Sequence, residues 1–280
     1  MESKFVNTNN IQLHYLESRH TGKTLILMPG LTANAHAFDG LMKAGLGNEY
    51  HILSIDLRGR GLSDYPAKGY SMKDHAEDII GLLDALNIQS AIIGGHSFGA
   101  LLTLYLAYYY PLRVEKMILL DAAAKMHPNT REMLQPSLNR LGQTFPSFND
   151  YILHVKRAPY MDFWDEEMLS YYDADVLHHT DGTVTARSSL ANIIEAVTAV
   201  LAEPWIDYLR FIDKEAILIN GAGNYAMNAP LLPVQNALET VSMMKNCMYS
   251  KVNGNHQTML YGNGAKEIVQ AIKEFMLSWS

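Results

Sequence analysis

The chain has 280 residues, of which 48% are hydrophobic and 18% are charged, and this composition indicates a globular protein large enough for one α/β domain. Its formal net charge of −7 disfavours nucleic acid and anionic lipid as partners, and its single cysteine excludes an internal disulfide. No apolar run reaches the ~18–20 residues that a membrane-spanning helix needs.

Strand-like and helical segments alternate in the first half of the chain. Five segments have the alternating or continuous apolar pattern of strands: IQLHYLES (11–18), TLILMPG (24–30), YHILSIDLRGRG (50–61), SAIIGG (90–95) and VEKMILLD (114–121). Apolar residues recur at helical spacing over residues 71–87, and Ser71 is the expected N-cap of that helix. Residues 98–110 are apolar all round, which predicts a buried helix.

The pattern changes over residues 127–205, which are rich in Met, Tyr and Phe and predict an inserted helical cap. Strand patterns return in EAILING (215–221) and MYSKV (248–252), and a last helix is expected from about Ala265 to Trp279. This alternation predicts an α/β fold, with a mostly parallel eight-stranded sheet flanked by helices. The expected core comprises residues 1–126 and 206–280.

Ser97 lies at the centre of GHSFG, directly between a predicted strand and a predicted buried helix. G-x-S-x-G is a weak pattern by itself, but these flanks are those of a nucleophile elbow. The glycines permit a sharp, strained turn that exposes the serine hydroxyl above the sheet. The following helix start offers backbone N–H groups and positive potential. We therefore predict that Ser97 is a nucleophile.

A serine hydroxyl needs a base that removes its proton, and histidine is the usual base. His256 is expected in the loop between the last strand and the last helix, at the sheet edge where the sites of open α/β folds gather. His96 is expected to point away from the reactive face of Ser97, and His178 and His179 fall in the cap. His256 is therefore the predicted base.

Four features of the chain match a known family: PGL (29–31), DLRGRGLS (56–63), GHSFG (95–99) and the late histidine. On these features the chain resembles the α/β-hydrolase superfamily over nearly its full length, as a capped serine hydrolase similar to carboxylesterases. The resemblance implies an oxyanion hole formed by the backbone N–H groups of Leu31 and Phe98. The DLRGRGLS stretch is expected to be a structural turn in which Asp56 and Arg58 pair.

The third member of the triad does not follow the commonest pattern of the family. Residues 216–238 contain no carboxylate, and only Asn224 stands where the acid is usually found. Asp121 closes the strand after the elbow helix, where several branches of the superfamily place their acid. We therefore predict a triad of Ser97, His256 and Asp121. The alternatives are a Ser-His dyad helped by Asn224, or a carboxylate such as Asp207.

The expected activity is hydrolysis of small or medium carboxylic esters through an acyl-enzyme on Ser97. The aromatic cap predicts an apolar pocket for an uncharged small-molecule ester. Alternatives on the same fold are C–C bond hydrolysis, lactone hydrolysis and cofactor-independent dioxygenation. A non-catalytic ligand-binding protein is a further alternative.

No metal-ligand spacing, P-loop or dinucleotide fingerprint occurs in the sequence, so we expect neither a metal nor a cofactor. The first residues lack the apolar segment of a signal peptide, and a cytoplasmic protein without a membrane span is expected. The sequence leaves the oligomeric state open.

Overall fold

A computed structural model of the protein describes residues 1–278. Its strands, in chain order, are β1 (Glu2–Thr8), β2 (Ile11–Ser18), β3 (Thr24–Met28), β4 (His51–Ile55), β5 (Ala91–His96), β6 (Val114–Leu120), β7 (Thr144–Phe145), β8 (Val176–His178), β9 (Val184–Ala186), β10 (Ala216–Gly221) and β11 (Cys247–Val252). Its α-helices are α1 (Asp39–Lys43), α2 (Met72–Ala85), α3 (Phe98–Tyr109), α4 (Thr130–Leu138), α5 (Phe148–Lys156), α6 (Met168–Ala174), α7 (Leu190–Ala202), α8 (Trp205–Phe211), α9 (Val234–Met243) and α10 (Gly262–Ser278). The last helix begins at Gly262 rather than Ala265, and its predicted end, Trp279, lies outside the described residues.

The central sheet has eight strands in the order β1-β2-β4-β3-β5-β6-β10-β11. Strand β2 pairs antiparallel with β1 and β4, and all the other neighbours are parallel. The inner strands β3, β5 and β10 are mainly apolar, and β6 is apolar after Glu115 and Lys116, because helices cover both of their faces. The predicted α/β fold with a mostly parallel eight-stranded sheet is confirmed.

Helices cover the sheet on both sides. Apolar residues of α2, α3 and α8 form the core against one face, and those of α1 and α10 form the core against the other. Helix α2 begins as predicted, because the Ser71 hydroxyl accepts from the Asp74 backbone N–H while the Asp74 carboxylate accepts from that of Ser71. No helix within residues 1–278 is long and apolar enough to cross a membrane.

The proposed cap, residues 127–205, is not purely helical. It contains α4 to α7, as the sequence pattern suggests, and also a three-stranded antiparallel sheet in the order β7-β9-β8. These strands have only two or three residues each, too few for a period-two pattern to be visible in the sequence. The division into this cap and a core of 1–126 and 206–280 remains our proposal.

The turn after β4 corrects one expectation, because Asp56 and Arg58 do not pair with each other. The Asp56 carboxylate accepts hydrogen bonds from the Ala35 backbone N–H and from His14 Nδ1, each at 2.6 Å. Arg58 instead forms a buried two-point ion pair with Asp78. The turn thus contacts β2 through His14, the segment after β3 through Ala35, and α2 through Asp78. Local sequence does not reveal contacts of this range.

Candidate active site

Ser97 stands between the end of β5 and the start of α3 in a strained conformation, with φ 55° and ψ −114°. Its backbone N–H donates to the Leu120 carbonyl at 2.9 Å, which fixes it beside β6. The turn requires the flanking glycines: a Cβ on Gly95 would lie 2.3 Å from Gly99 C, and one on Gly99 would lie 2.0 Å from Met28 O. These contacts give a physical cause for the G-x-S-x-G spacing.

His256 and Asp121 form a buried hydrogen bond of 2.7 Å between Nδ1 and a carboxylate oxygen. The other Asp121 oxygen accepts from Asn220 Nδ2 at 2.7 Å and from the Gly221 N–H at 2.8 Å. Because a carboxylate only accepts, Nδ1 of His256 carries the hydrogen and Nε2 is left as the basic nitrogen. Asn220 is the next-to-last residue of β10, the strand beside β6, and no local motif marks it as part of the site.

Ser97 and His256 line one cavity of about 70 Å³. Within residues 1–278 the Ser97 hydroxyl has no hydrogen-bond partner, so it is free to rotate toward His256 or toward a bound molecule. Nucleophile–base hydrogen bonds are often long before substrate binds and shorten in the reacting complex. The structure therefore brings the Ser97 hydroxyl, the His256 imidazole and the Asp121 carboxylate to one edge of the sheet. The hydroxyl and the imidazole are not yet hydrogen-bonded to each other.

The two expected oxyanion donors lie on either side of the elbow turn. Leu31 lines the cavity, and Phe98 directly follows Ser97 at the start of α3. Within the described part of the chain, neither backbone N–H donates to another group. A Cβ on Gly30 would lie 3.6 Å from Ser97 Cβ and 3.2 Å from His96 Nδ1, so glycine lets this turn approach the serine. Two unpartnered donors beside a hydroxyl are suited to an oxyanion.

The alternative partners for His256 lie elsewhere. Asn224 is exposed, and its backbone carbonyl accepts from Asn255 Nδ2 at 3.1 Å. Asp207 is exposed on α8 and faces Arg210 at 3.6 Å. Neither contacts the His256 ring, whose Nδ1 is bound to Asp121. The geometry therefore favours Asp121 over both alternatives.

His96 differs from expectation, because its ring packs on the predicted base rather than pointing away from the site. The ring centroids of His96 and His256 are 4.5 Å apart, and His96 Nε2 donates to the His256 carbonyl at 2.8 Å. Burial lowers the pKa of His96 well below its usual range, so the ring is neutral. His178 and His179 are exposed in the proposed cap.

Asn255 is a further site residue, and no sequence motif marks it. Its Nδ2 donates to the Tyr160 carbonyl at 2.9 Å, which connects the histidine loop to the proposed cap. Its side-chain oxygen accepts from the backbone N–H groups of Gln257 at 2.8 Å and Thr258 at 3.0 Å. The buried amide thus fixes the turn that carries His256.

The cavity wall is more polar than the predicted apolar pocket. Arg140, after α4, lines it and forms a two-point ion pair with Asp175 at 2.9 and 3.1 Å. The same guanidinium donates to Thr32 Oγ1 at 3.2 Å, and the Tyr151 hydroxyl donates to Asp175. Burial opposes the charge of Arg140, but Asp175 outweighs it and raises the pKa well above its usual range. Among the aromatic residues of the cap, those that line the cavity are Tyr160, Tyr171 and Tyr172.

Comparisons with known proteins agree with this architecture. The sequence model of a family described as alpha/beta hydrolase fold matches residues 23–189. A 2-(acetamidomethylene)succinate hydrolase of Mesorhizobium japonicum is 32% identical over 143 residues, which is 51% of this chain and 51% of that protein. The chain therefore matches about half the length of this curated relative.

Solved structures share the fold over nearly the whole chain. The crystal structure of an E-2-(acetamidomethylene)succinate hydrolase has a TM-score of 0.86 at 23% identity and covers 99% of both chains. The enol-lactonase of Burkholderia xenovorans LB400 has a TM-score of 0.72 at 20% identity, over 98% of this chain and 100% of that one. At these identities the likeness concerns the fold.

Proposed function

Because the chain belongs to the alpha/beta hydrolase fold family, we propose that it is a serine hydrolase that cleaves small or medium carboxylic esters through an acyl-enzyme on Ser97. The observation that carries the proposal is the buried 2.7 Å pair of His256 and Asp121 beside a cavity that Ser97 also lines. A strained serine between two close-packed glycines supports it, because such strain is typical of functional sites.

In the first half-reaction, His256 Nε2 accepts the proton of the Ser97 hydroxyl as Oγ attacks the ester carbonyl carbon. The carbonyl electrons move to oxygen, and the N–H groups of Leu31 and Phe98 stabilise the resulting anion. The tetrahedral intermediate collapses with loss of the alcohol, which takes its proton from His256. Asp121 stabilises the transient imidazolium and keeps its ring in the required tautomer.

In the second half-reaction, His256 removes a proton from a water that attacks the acyl carbon on Ser97. The same two N–H groups stabilise the second anion, and the collapse returns the proton to Ser97 and releases the acid. His256 mediates every proton transfer in the cycle. The N–H groups of Leu31 and Phe98 stabilise the anions, and Asp121 stabilises the imidazolium.

A second candidate is cleavage of an acetamido group on a carboxylic acid. The name of the 32% identical relative describes such a substrate, an acetamidomethylene succinate. Arg140 lines the cavity and would bind a substrate carboxylate only in competition with Asp175, which already holds its Nε and Nη2, so the name of the relative is the main support. Lactone and C–C bond hydrolysis would use the same Ser97 chemistry, and a substrate comparison separates them.

The test combines a covalent probe with a substrate panel. Wild type, Ser97→Ala and His256→Ala are incubated with a fluorophosphonate, and turnover is measured with p-nitrophenyl acetate, p-nitrophenyl butyrate, a small lactone and 2-(acetamidomethylene)succinate. We expect stoichiometric labelling and ester turnover in wild type. Both should be lost in Ser97→Ala, with kcat at least about 10³-fold lower in each variant.

Ester turnover that survives in Ser97→Ala would refute the proposed nucleophile. Labelling of Ser97 together with preferred turnover of the lactone or the acetamido acid would replace the ester by that substrate. The absence of both labelling and turnover would support a non-catalytic binding protein. Far-UV circular dichroism of each variant verifies that it is folded.

A further inference from the structure

Arg60 is a fully buried arginine whose charge has no acidic partner among the described residues. The other buried arginines differ: Arg58 pairs with Asp78 and Arg140 with Asp175. Burial lowers the pKa of Arg60 to about 10, so the side chain is still charged near neutral pH. Its Nη2 is buried and has no hydrogen-bond partner within residues 1–278.

The Arg60 guanidinium contacts both residues expected to form the oxyanion hole. Its Nε donates to the Leu31 carbonyl at 2.9 Å, and its Cζ lies 5.5 Å from the centroid of the Phe98 ring. His75 completes the cluster: its Nε2 accepts from Arg60 Nη1 at 3.1 Å, and its ring stands edge-on to Phe98 at 5.0 Å. The arginine therefore lies directly behind the segment that presents the two N–H donors.

An unpaired buried charge is unfavourable for folding, because desolvation is not offset by an opposite charge. In the proposed reaction an opposite charge does form, on the carbonyl oxygen held by Leu31 and Phe98. A fixed cation acts strongly on such an anion in a water-poor site, because the effective dielectric constant there is low. The positive charge of Arg60 thus has an oppositely charged partner in the transition state and none in the resting enzyme.

We infer that Arg60 is a positioning residue of the oxyanion hole: it fixes the Leu31 carbonyl and the Phe98 ring and provides positive charge behind the two N–H donors. This inference rests on the proposed function. It distinguishes the two arginines of the DLRGRGLS turn, since Arg58 contacts neither Leu31 nor Phe98 through its side chain and is neutralised by Asp78.

The test compares Arg60→Met, Arg60→Lys and the matched control Arg58→Lys. Each is assayed for kcat and KM with p-nitrophenyl butyrate, or with the best substrate of the panel, and for affinity to an alkyl boronic acid that forms a tetrahedral adduct on Ser97. For Arg60→Met we expect kcat to fall about 10- to 100-fold with KM within about 2-fold. The affinity for the boronate should fall in proportion to kcat.

Arg60→Lys keeps the charge but loses the planar fork, so it should recover part of the lost kcat. Arg58→Lys should stay within about 3-fold of wild type in both kcat and boronate affinity. Both half-reactions pass through an oxyanion, so kcat reports the effect whichever step limits it. Urea unfolding of each variant separates a loss of fold from a loss of catalysis, and Arg60→Lys is informative even if Arg60→Met does not fold.

A KM increase with unchanged kcat in Arg60→Lys would overturn the inference, and so would kcat and boronate affinity equal to those of Arg58→Lys. These outcomes are distinct from failure of the proposed function. In that case wild type itself would neither turn over a substrate nor bind the boronate, and Ser97 would not be labelled by the fluorophosphonate.

Discussion

Asp121 holds the His256 ring through one carboxylate oxygen while the other oxygen is fixed by Asn220 and Gly221. The Tyr249 hydroxyl donates to Asn220 Oδ1 at 3.0 Å, which in turn orients that amide. Every group around this carboxylate is a donor, so the site suits an ionised acid and not an amide. The acid is therefore preorganised at the end of β6 before any substrate arrives.

Replacing Asp121 by Asn is expected to lower kcat about 10⁴-fold with little change in KM. An amide at this position can present its NH₂ to His256 Nδ1, which favours the wrong tautomer and leaves the imidazolium without a counter-charge. The matched control is Asn224→Ala, which should stay within about 3-fold of wild type because the Asn224 side chain is exposed. Steady-state kinetics would contradict the assignment if Asn224→Ala were the more damaged variant.

Some site residues were predictable from the sequence and others were not. Ser97, His256 and Asp121 follow local rules: Ser97 and Asp121 stand directly after strand patterns, and His256 lies in the loop that follows the last one, all at the same sheet edge. Asn255 and Arg60 have no such signal. Asn255 acts through contact with a carbonyl 95 positions away, and the missing partner of Arg60 becomes visible only when the surrounding acids are located in space.

At the level of elements, the elbow depends on how closely α3 and β3 approach each other. The start of the helix lies against the carbonyls that end β3, and only a glycine at position 99 fits between them. Helix α3 could be predicted from its apolar residues because it is buried all round. Strand β1 gives no such signal, because it is a largely exposed edge strand without a clear apolar alternation.

Gly99→Ala should destabilise the fold by about 3 kcal/mol or more, because the new Cβ would lie 2.0 Å from the main-chain oxygen of Met28. Gly142→Ala is the control: nothing lies within 4 Å of its Cβ, and only the left-handed φ of 78° opposes it, at a cost of about 1–2 kcal/mol. Urea unfolding measures both. Equal losses in the two variants would show that the elbow is not sterically tight.

At the level of the whole molecule, the parallel sheet buries titratable groups together with its apolar core. The alternation of patterns was sufficient to predict this sheet, because each buried strand is a short apolar run with a turn after it. It could not predict that His75 and His96 are buried. Burial lowers the pKa of both rings well below the ordinary value of 6.5. Below pH 6.5 the folded protein therefore keeps both imidazoles neutral, whereas the unfolded chain protonates them.

We expect the free energy of unfolding to decrease as the pH falls below about 6.5. In that range the unfolded state binds more protons than the folded state, and each such histidine changes the folding equilibrium by up to about tenfold per pH unit. His36 acts in the opposite sense: burial would lower its pKa, but Asp39 raises it, so its stabilising contribution is complete below pH 6.5 and adds no slope there. Urea unfolding between pH 7.5 and 5 measures the effect before most carboxylates titrate.

His75→Gln should remove about half of this pH dependence, since it eliminates one of the two buried rings while its side-chain oxygen can still accept from Arg60. The matched control is His178→Gln, which removes an exposed imidazole instead of a buried one, and the pH slopes of the two variants are compared. A stability that is flat or rises from pH 6.5 to 5 would mean that the two rings are hydrated or paired with acids in solution. Burial in the parallel-sheet core would then not be what keeps them neutral.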